Sequence, residues 1–330
     1  VKKEYNNMKV GVIGVGYLGK FHAQKYKAMK DVELVGVADI DSDVAETIAK
    51  ENDCLAFTDY RELLKQVDAV SVVVPTSYHY AVALDCITAG VDMLLEKPIT
   101  TTVAEADEII KKAAENDLIL QVGHLERFNP AVEAMIPSLT VPVFIESQRI
   151  STFKNRGVDV DVVLDLMIHD IDIILNIIKS PLETIHTVGA PVVTDSTDIA
   201  NARLIFENGA TANVTVSRIS RTNTRRMRIF QPGSFINVDF ANRKVMTMHL
   251  KKNEFQKNGM PKQDIVVSSF PEGDALNSEI LHFAENVRNR TAPLVSGNEG
   301  RRALDVALQV IEQIKDHQKL GVYAEDMSAR

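Results

Sequence analysis

The sequence predicts two domains: an α/β domain on a doubly wound parallel sheet, then an α+β domain with a large, mostly antiparallel open sheet. Three observations predict this. From Met8 to about Gly123, short Val/Ile/Leu runs alternate with amphipathic stretches, the pattern of a parallel sheet covered on both faces. The first run ends in a glycine-rich turn. Beyond Gly123, Arg127-Phe128-Asn129-Pro130, Pro137 and Pro142 break the alternation, and most of the remaining chain has strand character. At 330 residues the chain also exceeds the usual single core. The expected domains are residues 1–123, with 1–7 a polar tail, and residues 124–330.

In the first domain the predicted strands are Lys9 to Ile13, Glu33 to Ala38, a weak one at Cys54 to Phe57, Ala69 to Val74, Asp92 to Leu95 and Ile119 to Val122. Helices fit near 17–29, 42–51, 60–66, 78–89 and 102–116. In the second, one long helical segment is expected from Val160 to Ile178. Strands are expected at Phe144 to Ser151, Thr184 to Val193, Ala200 to Glu207, Ala210 to Ser217, Arg226 to Gln231, Phe235 to Phe240 and Lys244 to Leu250. Glu207-Asn208-Gly209-Ala210 reads as a hairpin, because Asn-Gly readily takes positive φ angles. Helices over Ala275 to Arg290 and Gly297 to Leu320 close the chain, the latter with an apolar stripe of Ala303, Val306, Ala307, Val310 and Ile314.

Composition narrows the function. A formal net charge of -8 argues against general affinity for nucleic-acid backbones or anionic membranes, which need a basic surface. Cys54 and Cys86 are too few for a disulfide framework or zinc cluster, so a reducing cytoplasm fits and no metal is expected. No apolar run approaches the roughly 20 residues of a membrane span.

Lys9-Val10-Gly11-Val12-Ile13 leads into Gly14-Val15-Gly16-Tyr17-Leu18-Gly19, a GxGxxG between a strand and a helix. Gly14 permits a sharp turn, Gly16 lets a pyrophosphate approach the backbone, and Gly19 allows close helix-strand packing. Asp39 follows at the interval at which an acid receives the adenosine ribose hydroxyls. Its charge, with Asp41 and Asp43 nearby, repels a 2'-phosphate, so the expected cofactor is NAD. Pro75-Thr76, at the end of the Ser71 to Val74 run, lies along the same crevice. His79 is a further candidate there, against the alternative of a hydrogen-bonded structural histidine.

Glu96-Lys97-Pro98 ends the apolar run Val91-Asp92-Met93-Leu94-Leu95, so Lys97 sits where open α/β sheets bind ligands. Partial burial and an oxidised nicotinamide can both lower a lysine's pKa toward neutrality, which suits it to handle a proton. Asp165, His169 and Asp172 fall at i, i+4 and i+7, on one face of a helix within a strongly apolar segment. A carboxylate beside an imidazole can orient and tune a general base. A solvated helix face is the alternative, and metal binding lacks a further ligand set.

Together the GVGYLG loop, Asp39, Pro75-Thr76, the Glu-Lys-Pro at 96–98 and the Asp-x-x-x-His at 165–169 resemble the Gfo/Idh/MocA oxidoreductase family over nearly the whole chain. The resemblance implies catalytic roles for Lys97, Asp165 and His169, a Lys-Pro bond that is often cis, and cofactor contacts from the glycine loop, Glu96 and Lys97. It also implies a homodimer or homotetramer assembled through the second domain's sheet. Gly123-His124-Leu125-Glu126-Arg127-Phe128-Asn129-Pro130 and Ser151-Thr152-Phe153-Lys154-Asn155-Arg156-Gly157 are similar to a subgroup that oxidises the 3-hydroxyl of a UDP-linked N-acetylglucosamine. Arg127, Lys154 and Arg156 are then candidates to neutralise the diphosphate. Met167 departs from the family pattern, where glycine is frequent. Related substrates remain open: a free sugar, an inositol or a sugar acid. A dinucleotide-binding sensor without turnover is the non-enzymatic alternative. Arg218, Arg221, Arg225, Arg226 and Arg228 form a basic cluster read as a solvated or interface edge, since no aromatic residues interleave to stack bases.

Overall fold

The computed structural model describes residues 7–153, 160–271 and 273–319. The chain runs β1 (Met8–Ile13), α1 (Gly19–Ala28), β2 (Val32–Ala38), α2 (Ser42–Asn52), β3 (Leu55–Phe57), α3 (Tyr60–Leu64), β4 (Ala69–Val72), α4 (Thr76–Ala89), β5 (Asp92–Glu96), α5 (Val103–Glu115) and β6 (Leu120–Gly123). These strands form a parallel sheet in the order β3-β2-β1-β4-β5-β6. The order reverses between β1 and β4, the switch point where doubly wound sheets take a dinucleotide.

Local chemistry sets the ends of these elements. Asp41 caps α2 by accepting from the Asp43 and Val44 amides. Thr102 and Glu105 form a reciprocal capping box on α5, and Gly90, at φ +71°, ends α4. The central strands carry fully buried Val10, Val12, Val70 and Val72, as a sheet covered on both faces requires.

The second half contains α6 (Pro130–Met135), β7 (Phe144–Thr152), α7 (Ile168–Ile177), β8 (Leu182–Ala190), β9 (Ile199–Phe206), β10 (Thr211–Ser220), β11 (Thr224–Gln231), β12 (Ser234–Asp239), β13 (Lys244–Phe255) and β14 (Pro261–Ser269). α8 (Ala275–Asn289) and α9 (Gly297–Gln318) come last. Strands β7 to β14 form one sheet, in the order β14-β13-β12-β11-β7-β10-β9-β8. Only the β7/β10 pair is parallel. Helix α7 packs on β7 and β10, with Ile171 and Ile174 of α7 and Val214 and Val216 of β10 all buried.

Compactness divides the chain as Val1–Leu125 with Asp274–Leu304, and Glu126–Gly273 with the chain from Asp305. A single cut at residue 123 puts α8 in the second domain. The structure puts it in the first unit, because Ile280, Phe283, Ala284 and Val287 share a core with Met8, Val10 and Tyr26.

Three local departures have physical causes. Strand β14 has no apolar alternation to announce it: it is an edge strand, opened by Pro261 and exposed through Lys262 to Val267. In the β9/β10 hairpin the positive φ falls on Gly209 (+82°), while the Asn208 side chain accepts from the Ala210 amide at 3.1 Å. The helical segment expected from Val160 begins instead with a π-helical turn, Val163–Met167, that runs into α7.

Candidate active site

The glycine loop follows β1, where each glycine meets a distinct spatial demand. Gly14 has φ +83°, and a Cβ there would lie 2.6 Å from the Val73 carbonyl oxygen. A Cβ on Gly19 would lie 1.8 Å from the Gly14 carbonyl oxygen. At Gly16 nothing stands within 4 Å, which is the open approach a pyrophosphate needs above the start of α1. Tyr17 and Leu18 are exposed between them. Asp39, just after β2, takes the Val15 amide at 2.9 Å on one carboxylate oxygen and the Asp41 amide at 3.1 Å on the other. It therefore ties the loop to the second strand while keeping lone pairs for ribose hydroxyls. These residues fit a dinucleotide.

Beside the loop, Pro75 and Thr76 open α4 at the carboxyl end of β4. Glu96 ends β5 and Lys97 follows, half-buried, with a cis bond to Pro98. The Glu96 carboxylate lies 3.4 Å from buried His22 Nε2 and accepts the Lys97 amide at 3.2 Å. Burial pushes this carboxyl up, but the hydrogen bond and charge of His22, then Lys97, outweigh it and hold Glu96 below the usual carboxylate range. His79 is 1% exposed, with Nδ1 2.8 Å from the Pro98 carbonyl oxygen and Nε2 2.9 Å from that of Val74. Burial lowers its pKa despite those two carbonyls. The sequence offered His79 to the cofactor; both its nitrogens face backbone instead, and it works as a clamp on the peptide that follows Lys97.

In the second unit Asp165 lies inside the π-helical turn and His169 in the first turn of α7, both half-buried. A π-turn holds one extra residue, and such turns recur at functional sites. The acidic stripe is shorter than the helical spacing suggests. Asp172 is buried with its Oδ1 3.4 Å from Arg127, whose side chain is 4% exposed. Arg127 is thus committed to an internal ion pair, and its expected role at a diphosphate is withdrawn. Lys154 and Arg156 lie outside the described residues.

Residues 8–124 match the family described as an oxidoreductase family with an NAD-binding Rossmann fold, and residues 145–231 match the Gfo/Idh/MocA C-terminal domain. The chain belongs to the Gfo/Idh/MocA oxidoreductases. Within that family it is 40% identical to UDP-N-acetylglucosamine 3-dehydrogenase of Acidithiobacillus ferrooxidans, over 92% of this chain and 96% of the relative. A solved structure of that dehydrogenase superposes with a TM-score of 0.87 at 39% identity, covering 94% of this chain and 98% of the other. Myo-inositol 2-dehydrogenase of Thermotoga maritima is 26% identical over 90% of this chain and 93% of the relative.

Beside His169 this Gfo/Idh/MocA chain carries a buried ionic group that sequence reasoning missed. Asp170 is 1% exposed, accepts Arg149 Nε at 2.8 Å and takes the Ser147 hydroxyl at 2.9 Å, while Arg149 also donates to Glu126 at 2.7 Å. The signal was available: Arg149 alternates with Ile145 and Ser147 on the inward face of β7, where a cation demands buried partners. The basic cluster does not act as one solvated edge. Arg218 is buried and donates to the carbonyls of Val160 and Thr197, Arg228 pairs with Glu146, and Arg225 is exposed, 3.7 Å from Glu126.

Proposed function

We propose that this chain oxidises the 3-hydroxyl of UDP-N-acetylglucosamine, or of a closely related UDP-sugar, to the 3-keto sugar with NAD. The observation that carries the substrate is the 40% identity sustained through nearly the full length of both chains. Fold alone does not choose among sugars.

Bound at the glycine loop, NAD supplies the acceptor for the hydride from the carbinol carbon. Around it, the backbone at Gly16 and the first amides of α1 hold the pyrophosphate, and Asp39 receives the ribose hydroxyls. Lys97 donates a hydrogen bond to the reacting oxygen and stabilises charge that develops there. His169, with Asp165 to orient the ring, takes the hydroxyl proton on an imidazole nitrogen. Lys154 and Arg156 are offered to the diphosphate. We place the enzyme in the cytoplasm, consistent with two free cysteines. Among the described residues no helix is long and apolar enough to cross a membrane. We assign self-assembly to the second unit's sheet, where Phe255, Ile265, Val266 and Val267 are exposed on β13 and β14.

The test is NADH formation by the purified chain with UDP-N-acetylglucosamine, free N-acetylglucosamine and myo-inositol in parallel. Turnover confined to the UDP-sugar is expected, and Lys97→Ala is expected to abolish it with NAD binding intact. Turnover of inositol but not of the nucleotide sugar overturns the substrate, and a blank panel with NAD bound favours a sensor.

A further inference from the structure

Below Lys97 the first unit holds a layer of buried polar groups that the hydride-transfer chemistry leaves unused. Ser71 of β4, Leu94 of β5 and Gln121 of β6 are register partners in one row. Glu96 and Gly123 form the row two residues on, so all five positions share one face of the sheet. Helices α1 and α8 cover that face: Leu94 shares a core with Tyr26, Ile280 and Phe283, and α8 packs on both α1 and β5. Into this apolar layer α1 sends His22 and Tyr26, and α8 sends Glu279, which has no exposed surface. Gly123 leaves room for the Glu96 carboxyl, since a Cβ there would come within 3.0 Å of its carbon.

Most of the layer is tied together. Tyr26 and Ser71 share a hydrogen bond of 2.9 Å, and Gln121 Nε2 donates to the Glu279 carbonyl at 3.2 Å. Glu279 stands apart, because among the described residues no donor reaches either oxygen of its carboxyl; His22 Nδ1 and Gln121 Oε1 of the same layer are also buried without a partner there. Burial pushes this carboxyl well above its usual range, and the charge of Glu96 pushes it further. Two carboxyls in one low-dielectric layer cannot both ionise, and their surroundings decide between them. Glu96 has His22, the Lys97 amide and the lysine charge. Glu279 has no such donor among the described residues, so it is the one that keeps its proton. An apolar side chain would pack this site with less penalty, and the acid therefore asks for a role.

We propose that Glu279 is a positioning residue for Lys97 that acts through Glu96: the uncharged acid directs its hydroxyl toward the Glu96 carboxylate and, with His22, fixes that carboxylate beneath the lysine. This rests on the reading of Lys97 as a group of the hydride-transfer site. A protonated acid is a donor that an amide can replace and a hydrocarbon cannot, which separates this role from space filling.

The test uses the full chain with Glu279→Gln and Glu279→Leu. Infrared spectra near neutral pH are expected to show a protonated-carboxyl stretch in the parent that is missing in Glu279→Gln. In steady-state kinetics Glu279→Leu is expected to lower kcat by about tenfold or more with KM for NAD within about twofold, and Glu279→Gln to recover to within about threefold of the parent. An unchanged infrared band in Glu279→Gln overturns the proposal, as does parental kcat in Glu279→Leu or a Gln variant as impaired as Leu. If Glu279→Leu does not fold, the band and the Gln kinetics decide. If the parent turns over no sugar, the substrate reading fails by itself, and the band still tests Glu279.

Discussion

His79 and Pro98 are joined inside the first unit, with the imidazole Nδ1 2.8 Å from the Pro98 carbonyl oxygen and Nε2 2.9 Å from that of Val74. A neutral ring has one N–H, so it donates to one of these two carbonyls and packs its other nitrogen against the second, between the end of β4 and the peptide after Lys97. Loss of this clamp lets the lysine drift, and misplacement by about 1 Å can cost a hundredfold in rate. His79→Ala is expected to reduce kcat by about ten- to a hundredfold, with a smaller change in KM for NAD. Because burial depresses the His79 pKa, the unfolded chain binds its proton first as pH falls. The stability held by the neutral ring is therefore complete above the unfolded value of about 6.5 and declines as pH drops toward the folded one. Melting temperatures of parent and His79→Gln over a pH series should show the parent losing more on acidification. Parallel curves count against a neutral buried ring.

Two glycines of the loop separate stability from ligand binding. Gly19→Ala puts a methyl 1.8 Å from the Gly14 carbonyl oxygen, so the first turn of α1 must shift and Tm is expected to fall. Gly16→Ala meets nothing within 4 Å and should melt like the parent when no dinucleotide is present. Its methyl occupies the approach to the pyrophosphate, so affinity for NAD is expected to drop by about tenfold or more, on the order of one close phosphate contact. Thermal shift with and without NAD reads both outcomes.

The glycine loop was legible in the sequence because each requirement there is local: a turn, an approach and a close packing within one short loop. The same holds for the strands of the first sheet, whose burial on both faces leaves continuous apolar runs. Legibility failed where a partner arrives from far along the chain. Arg127 looked like a free cation until Asp172 supplied its counter-charge, and α8 looked like part of the second domain until Phe283 was found in the core around Tyr26. Glu279 had no sequence signature, since its meaning comes from Glu96 on another element. Strand β14 was hidden for the opposite reason: an exposed edge strand need not alternate.

Asp39 serves the loop and the cofactor together. Its carboxylate accepts the Val15 and Asp41 amides, so replacement loosens the turn as well as the ribose contact. A hydrogen bond to a charged group contributes about 1.5–3 kcal/mol, so Asp39→Asn is expected to raise KM for NAD by about ten- to a hundredfold. Removing the negative charge also lifts the repulsion of a 2'-phosphate. The ratio of kcat/KM for NAD over NADP should fall, and a ratio that stays at the parental value assigns NAD selectivity elsewhere.

Arg149 holds two carboxylates in the second unit, with Asp170 at 2.8 Å and Glu126 at 2.7 Å. Burial opposes its charge, but the two acids outweigh that and raise its pKa. Arg149→Met leaves both carboxyls buried without their cation, a change that costs about 3–5 kcal/mol. Denaturant unfolding near neutral pH is expected to show a loss of that size. The pH dependence tests the cause. Burial raises the Glu126 pKa, but Arg149, then Arg225 and Asn129, hold it below the ordinary value. Its stabilising contribution is thus full above the unfolded pKa of about 4.3 and disappears as pH falls through the folded one. In Arg149→Met that depression is largely gone, so the gap between parent and variant should be widest near neutrality and narrow in acid. A gap that stays constant over the same range shows that the variant loses packing around Arg149, whose guanidinium lies 5.8 Å from the Phe240 ring, and not its hold on Glu126.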